Sequence, residues 1–334
     1  MIFQPAIIAL LLAASLSLLM LLVASPFAVQ VIRHWDMQSG SERQLRLERM
    51  TYLFSTLVTF VCIIQILAAL LFVFNADKMS VMFVGAMCAV GALNVNEFGF
   101  PALYAQLGLF FLAAIWLALN HADSRARDYP LVKLKYALLL AGIPLFALSL
   151  GLQLQYFLGL KADVITSCCG SLFSADAPTL ASEVSALEPK PALLGFYGAL
   201  IAAILFALWH GQRKDNLSGY ATGLAALAAF VASIAGILAF VSLYIYEHPH
   251  HHCPFCILKP EYDYQGYWLY IPLFAATAAG MSAGVLRVFA HRPSLVAVVP
   301  AVTQRLAAVA AIGFVIFMLV ASLMIWQSKL ILLE

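Results

Sequence analysis

The stretch HPHHHCPFCILKPEY, residues 248–262, places four histidines and a Cys-x-x-Cys pair within nine residues. The chain has only eight histidines and six cysteines in 334 residues, so half of its imidazoles and a third of its thiols fall in one short segment. Cys253 and Cys256 have the spacing that thiol redox motifs and metal knuckles share, and spacing alone does not choose between them. His248, His250, His251 and His252 serve either chemistry. As imidazolium they favour thiolate in a neighbouring cysteine; as neutral imidazole they complete a mixed Cys/His coordination shell. Lys259 adds positive charge just downstream.

Two further groups of soft atoms lie elsewhere. In SCCGSLF, Cys168 and Cys169 are neighbours, with Cα atoms about 3.8 Å apart, whereas unstrained disulfides prefer roughly 4.4–6.8 Å. A bond between them would be strained, so they pair elsewhere, hold a soft metal or form a readily reduced bond. Met79, Met82, Met87 and Cys88 bring three thioethers and a thiol close together in sequence, a set better suited to Cu(I) than to Zn or Mg. The candidate metal ligands are therefore His248, His250, His251, His252, Cys253, Cys256, Cys168, Cys169, Met87 and Cys88. The candidate exchange thiols are Cys253, Cys256, Cys168 and Cys169. Cys62, inside an apolar run, reads as a small buried hydrophobe.

The elements that must position these residues follow from composition. Apolar and aromatic residues make up 64% of the chain and charged residues 10%, and the mean hydropathy is +0.95. This defines an all-α, polytopic membrane protein forming a single membrane domain. Apolar runs able to cross about 30 Å of hydrocarbon fall at 5–30, 52–75, 101–120, 136–160, 191–209, 219–246, 268–289 and 306–328, and each must be a helix because lipid offers no partner to backbone polar groups. No Lys or Arg precedes the first run, and its apolar core is too long for a signal peptide, so it is expected to stay as an anchor. MSVMFVGAMCAVGALNV, Met79–Val95, is at the lower limit for spanning and is expected to form an interfacial or re-entrant helix.

Thirteen of the 18 Lys and Arg residues lie in loops 31–51, 121–135, 210–218 and 287–305. The positive-inside rule then puts both termini outside, in a multi-pass protein of the cytoplasmic (inner) membrane. Loops 76–100, 161–190 and 247–267 face outward and carry five of the six cysteines, on a side where thiols persist as disulfides, metal ligands or exchange centres. The net charge of +2 gives no reason to invoke nucleic acid; the partners expected are the lipid bilayer and an exported or membrane protein. PALYAQLGLFFLAAIWLALNH at 101–121 echoes PALLGFYGALIAAILFALWH at 191–210, which suggests a repeated hairpin unit.

Apart from Arg287 at the end of the seventh run, the eight apolar cores contain no Asp, Glu, Lys or Arg, which argues against proton relays and ion-coupled carriers. Gln65, Gln106, Gln153 and Gln155 are their main polar groups, read as interhelical hydrogen-bonding residues. His34, His121, His210 and His291 are read as interfacial anchors, and Trp35, Trp116, Trp209 and Trp268 as aromatic belts.

Over residues 219–290, the CPFC hairpin with its aromatic lead-in SLYIYEHPHHH resembles the thiol hairpin of quinone-linked disulfide-forming membrane oxidoreductases and, more distantly, vitamin K epoxide reductases. The resemblance implies that Cys253 and Cys256 hand electrons to a quinone and that Cys168 and Cys169 meet a partner's thiols. Three functions stay open from the sequence: thiol-disulfide exchange, with a membrane quinone as candidate cofactor; binding, delivery or transport of copper as Cu(I); and a non-catalytic subunit with structural disulfides.

Overall fold

A computed structural model describes residues 3–126, 128–161, 164–166, 183–184 and 186–331. Among these residues the chain is helical, and its only β-type pairing is an isolated bridge between Val84 and Ile165. Ten helices are described: α1 Pro5–His34, α2 Glu42–Met79, α3 Ala89–Leu93, α4 Gly99–Asp123, α5 Val132–Leu158, α6 Pro189–Arg213, α7 Asn216–Gly236, α8 Ser242–Tyr246, α9 Gln265–Arg287 and α10 Val298–Gln327. A π-turn, Ile237–Val241, joins α7 to α8 in one continuous rod. Eight helical segments are long and apolar enough to cross a membrane, as expected.

The helix ends follow local chemistry. Pro5 and Pro189 open α1 and α6, where a missing N–H costs nothing. Lys214 takes a left-handed conformation after α6 and returns its N–H to the His210 carbonyl, and Asp215 then caps α7 by accepting from Ser218 N. Two residues thus suffice to reverse the chain between two spans.

The chain divides into two compact units. The first comprises Met1–Asn75, Asn96–Lys161 and Phe289–Val299. Its core is aromatic: Phe27 stacks on Phe54 at 4.5 Å, and Tyr136 meets Phe27 edge-on. Trp35 and Trp116 are buried in this core rather than standing in a belt, and Trp116 Nε1 donates to the Lys135 carbonyl. The helices overrun the apolar cores by a turn or more, which brings in charges that the sequence reading left outside. Lys135 Nζ lies 2.7 Å from Asp123 Oδ2, with both side chains almost fully buried, and also donates to Asn120.

The second unit comprises Ala76–Val95, Ala162–Val288 and Pro300–Glu334. Phe196, Phe240 and Phe317 form its aromatic centre. Gly219-x-x-x-Gly223 on α7 faces Gly280-x-x-x-Gly284 on α9 so closely that a Cβ on Gly284 would sit 2.9 Å from the Gly223 Cα. Small residues at four-residue spacing let lipid-embedded backbones approach in this way. His210 is not an interfacial anchor but is fully buried, with Nδ1 2.7 Å from Ser218 Oγ and Nε2 2.9 Å from Thr303 Oγ1. Arg287 reaches the same place, donating to the Lys214 carbonyl.

Candidate metal and thiol centre

The segment between α2 and α4 forms no 17-residue helix. It makes a 3-10 turn at Ser80–Met82, an extended stretch, and the five-residue α3, whose residues are all buried. Gly85 makes this path feasible: its φ is +84°, and its Cα abuts the Thr166 carbonyl, where a side chain would collide. Thr166 N donates to Val84 O at 2.9 Å, pinning the extended stretch that leads to Cys88.

The second limb is the connection between α8 and α9. Glu247 turns left-handed after α8, and His248 N returns to the Leu243 carbonyl, so the helix stops at the start of the histidine run. Two tyrosines then clamp the Cys-x-x-Cys backbone from neighbouring helices. Tyr246 donates its phenol to the Cys253 carbonyl at 2.5 Å, and Tyr270 donates to the Pro254 carbonyl at 2.6 Å. Cys256 opens a 3-10 turn, Cys256–Leu258, and Lys259 leaves that turn to bind Ser80 Oγ at 2.9 Å and Asp77 Oδ1 at 3.4 Å.

These two limbs bring three cysteines together. The Sγ atoms of Cys88, Cys253 and Cys256 all lie within 4.8 Å of one another, and those of Cys88 and Cys253 are 3.4 Å apart, within reach of an S–H···S hydrogen bond and without a covalent bond. Cys88 and Cys253 have no exposed surface and Cys256 has 5%. Thiolates about 2.3 Å from one ion lie roughly 3.8–4.0 Å apart, so the cluster needs only small adjustments to bind one. Among the described residues no histidine, aspartate or glutamate joins the three sulfurs.

The other expected ligands fall around the cluster. His252 turns its Nδ1 to the Leu238 carbonyl at 2.7 Å, inside the π-turn that displaces the helical ladder. Burial pushes the His252 imidazole below its ordinary pKa, the bond to Leu238 opposes this, and His250 and His251 push the same way as burial. His251 stacks on Tyr246 with ring centroids 4.0 Å apart. His248 and His250 are exposed, with centroids 6.0 Å apart. Met87, beside Cys88 in sequence, is 71% exposed, and Met79 is buried. Cys168 and Cys169 lie outside the described residues.

The tyrosine clamps and the Asp77–Lys259–Ser80 link carried no sequence signal beyond residue type. Tyr246 lies within electrostatic reach of Cys253 and Cys256, and Asp77 of Cys88, so these groups set the environment of the sulfurs. No family model matches the chain, and no curated protein or solved structure is detectably similar to it.

Proposed function

We propose that this multi-pass membrane protein holds a soft metal ion on Cys88, Cys253 and Cys256, with Cu(I) as the cargo, for delivery or transport on the outward side of the membrane. The observation that carries this reading is three buried thiols within 4.8 Å of one another. Thiolate sulfur is the ligand class that selects Cu(I), so three gathered thiols suit a soft monovalent ion. Burial also disfavours these sulfurs as direct reactants toward a bulky protein disulfide. The connections between the second and third spans and between the sixth and seventh emerge on one side when successive spans alternate, which suits a shared outward centre.

A second reading rests on the 3.4 Å contact of Cys88 with Cys253. With Cys253 and Cys256 joined as a disulfide, a Cys88 thiolate would attack Cys253, form a new bond to it and release Cys256 as thiolate. The oxidoreductase resemblance implies exchange at the same Cys253–Cys256 pair, with quinone as the candidate electron acceptor, but gives the relay to Cys168 and Cys169 rather than to Cys88.

Anaerobic purification of wild-type protein and Cys253→Ser separates the two. The metal reading expects stoichiometric copper in wild type and its loss in the variant. Thiols that alkylate only after reduction, together with a trapped mixed disulfide to a partner and no copper, would establish exchange instead.

A further inference from the structure

Sulfurs this deeply buried raise the question of how an ion reaches them. The residues leading to Cys253 supply four imidazoles at graded exposure. His248 and His250 are exposed, and His251 and His252 are half-buried. Each keeps coordinating capacity. An imidazole bound at about 2.1 Å places its ring centroid roughly 3.2 Å from the ion, so two rings can share an ion at centroid separations up to about 6.4 Å. The 6.0 Å between His248 and His250 fits such a pair in an open, near-linear arrangement, which a soft monovalent ion accepts. A 3.3 Å bond from His250 N to His248 Nδ1 ties the two and is weak enough for an ion to displace.

Further in, His251 holds its Nε2 buried with no hydrogen-bond partner among the described residues, an arrangement that ordinarily costs free energy and that a bound ion would relieve. The Leu238 carbonyl can only accept, so His252 must carry its proton on Nδ1, leaving the Nε2 lone pair available. Tyr246 connects this series to the sulfurs, since its ring stacks on His251 and its phenol binds the Cys253 carbonyl.

We propose that residues 248–252 form a loading ladder, in which His248 and His250 capture Cu(I) at the surface and His251 and His252 relay it to Cys253 in the buried three-sulfur site. The proposal rests on the metal reading of that site. In the final transfer a nitrogen–copper bond breaks as a sulfur–copper bond forms, the thiol proton passes to the vacated imidazole, and copper remains Cu(I) throughout. The ladder acts on the rate of loading, and the sulfurs set the final affinity.

The test uses the full-length protein in anaerobic detergent micelles, with Cu(I) supplied from a colorimetric chelator and followed by stopped flow. Capture at the mouth raises the local ion concentration, so His248→Ala/His250→Ala is expected to load about tenfold more slowly or worse, with unchanged final copper per chain. His248→Gln/His250→Gln should behave in the same way, which guards against a local folding effect of alanine. Loading at the wild-type rate overturns the ladder, as does a loss of final copper matching the slowed rate, because the histidines would then belong to the site itself. Cys88→Ser tests the underlying reading separately. If that variant holds Cu(I) as tightly as wild type, the three-sulfur site fails; if that copper then depends on His248 and His250, the ladder fails too and the histidines alone are the site.

Discussion

Cys88 Sγ lies 3.4 Å from Cys253 Sγ although 165 residues separate them in the chain. The contact depends on a glycine turn on one side and a clamped loop on the other, and each makes a testable demand.

Gly85 at φ +84°, against the Thr166 carbonyl, leaves no room for a side chain. Gly85→Ala is expected to destabilise its segment by about 1–3 kcal/mol and to draw Cys88 away from its partners. Thermal unfolding with a chelator-competition titration should show a lower midpoint and weaker Cu(I) binding. Gly40→Ala, at a glycine with open space around it, should change neither.

Tyr246 and Tyr270 hold the carbonyls of Cys253 and Pro254. Removing either phenol leaves a carbonyl without its donor, at a cost of about 1–3 kcal/mol. Tyr246→Phe and Tyr270→Phe should each weaken copper retention against a chelator while circular dichroism shows the helices intact. Unchanged retention in the double variant would mean that the clamp does not position Cys253.

The buried pair Lys135–Asp123 should behave as a unit. Lys135→Met strands a buried carboxylate and is expected to cost about 3–5 kcal/mol, whereas Lys135→Met with Asp123→Asn should recover much of that loss. Asparagine keeps an acceptor for Leu131 N, which now bonds to Asp123 Oδ1. Denaturation of the two variants in matched detergent decides it.

Asp215 caps α7, and its bond from Ser218 holds the carboxyl below the usual carboxylate range. A depressed carboxylate pKa stabilises the fold fully above the ordinary range, and the contribution fades as pH falls through the folded-state value. Thermal midpoints measured from neutral to acid pH should fall more steeply for wild type than for Asp215→Ala, which already lacks the cap.

The eight spans were legible because lipid forces every backbone group into a helix, so apolar length alone reports them. Their ends were not. Buried polar partners accompany the extension of α4 to Asp123 and the start of α5 at Val132, and so the Lys135–Asp123 pair escaped a reading that cut the cores at 120 and 136. His210 looked interfacial for the same reason, since its partners Ser218 and Thr303 come from other helices. At the site, residue chemistry put Cys88, Cys253 and Cys256 among ten candidate ligands. It could not say that the histidines stand apart from them, because ring direction depends on groups as distant as Leu238 and Tyr246. The Gly85 turn, which delivers Cys88, depends on a contact with Thr166 that no local pattern reveals.

Copper K-edge X-ray absorption on full-length protein loaded with one equivalent of Cu(I) tests the central claim most directly. The account predicts a first shell of three sulfurs in wild type that falls to two in Cys88→Ser. A shell dominated by imidazole nitrogen, or one that the Cys88 substitution leaves unchanged, would contradict it.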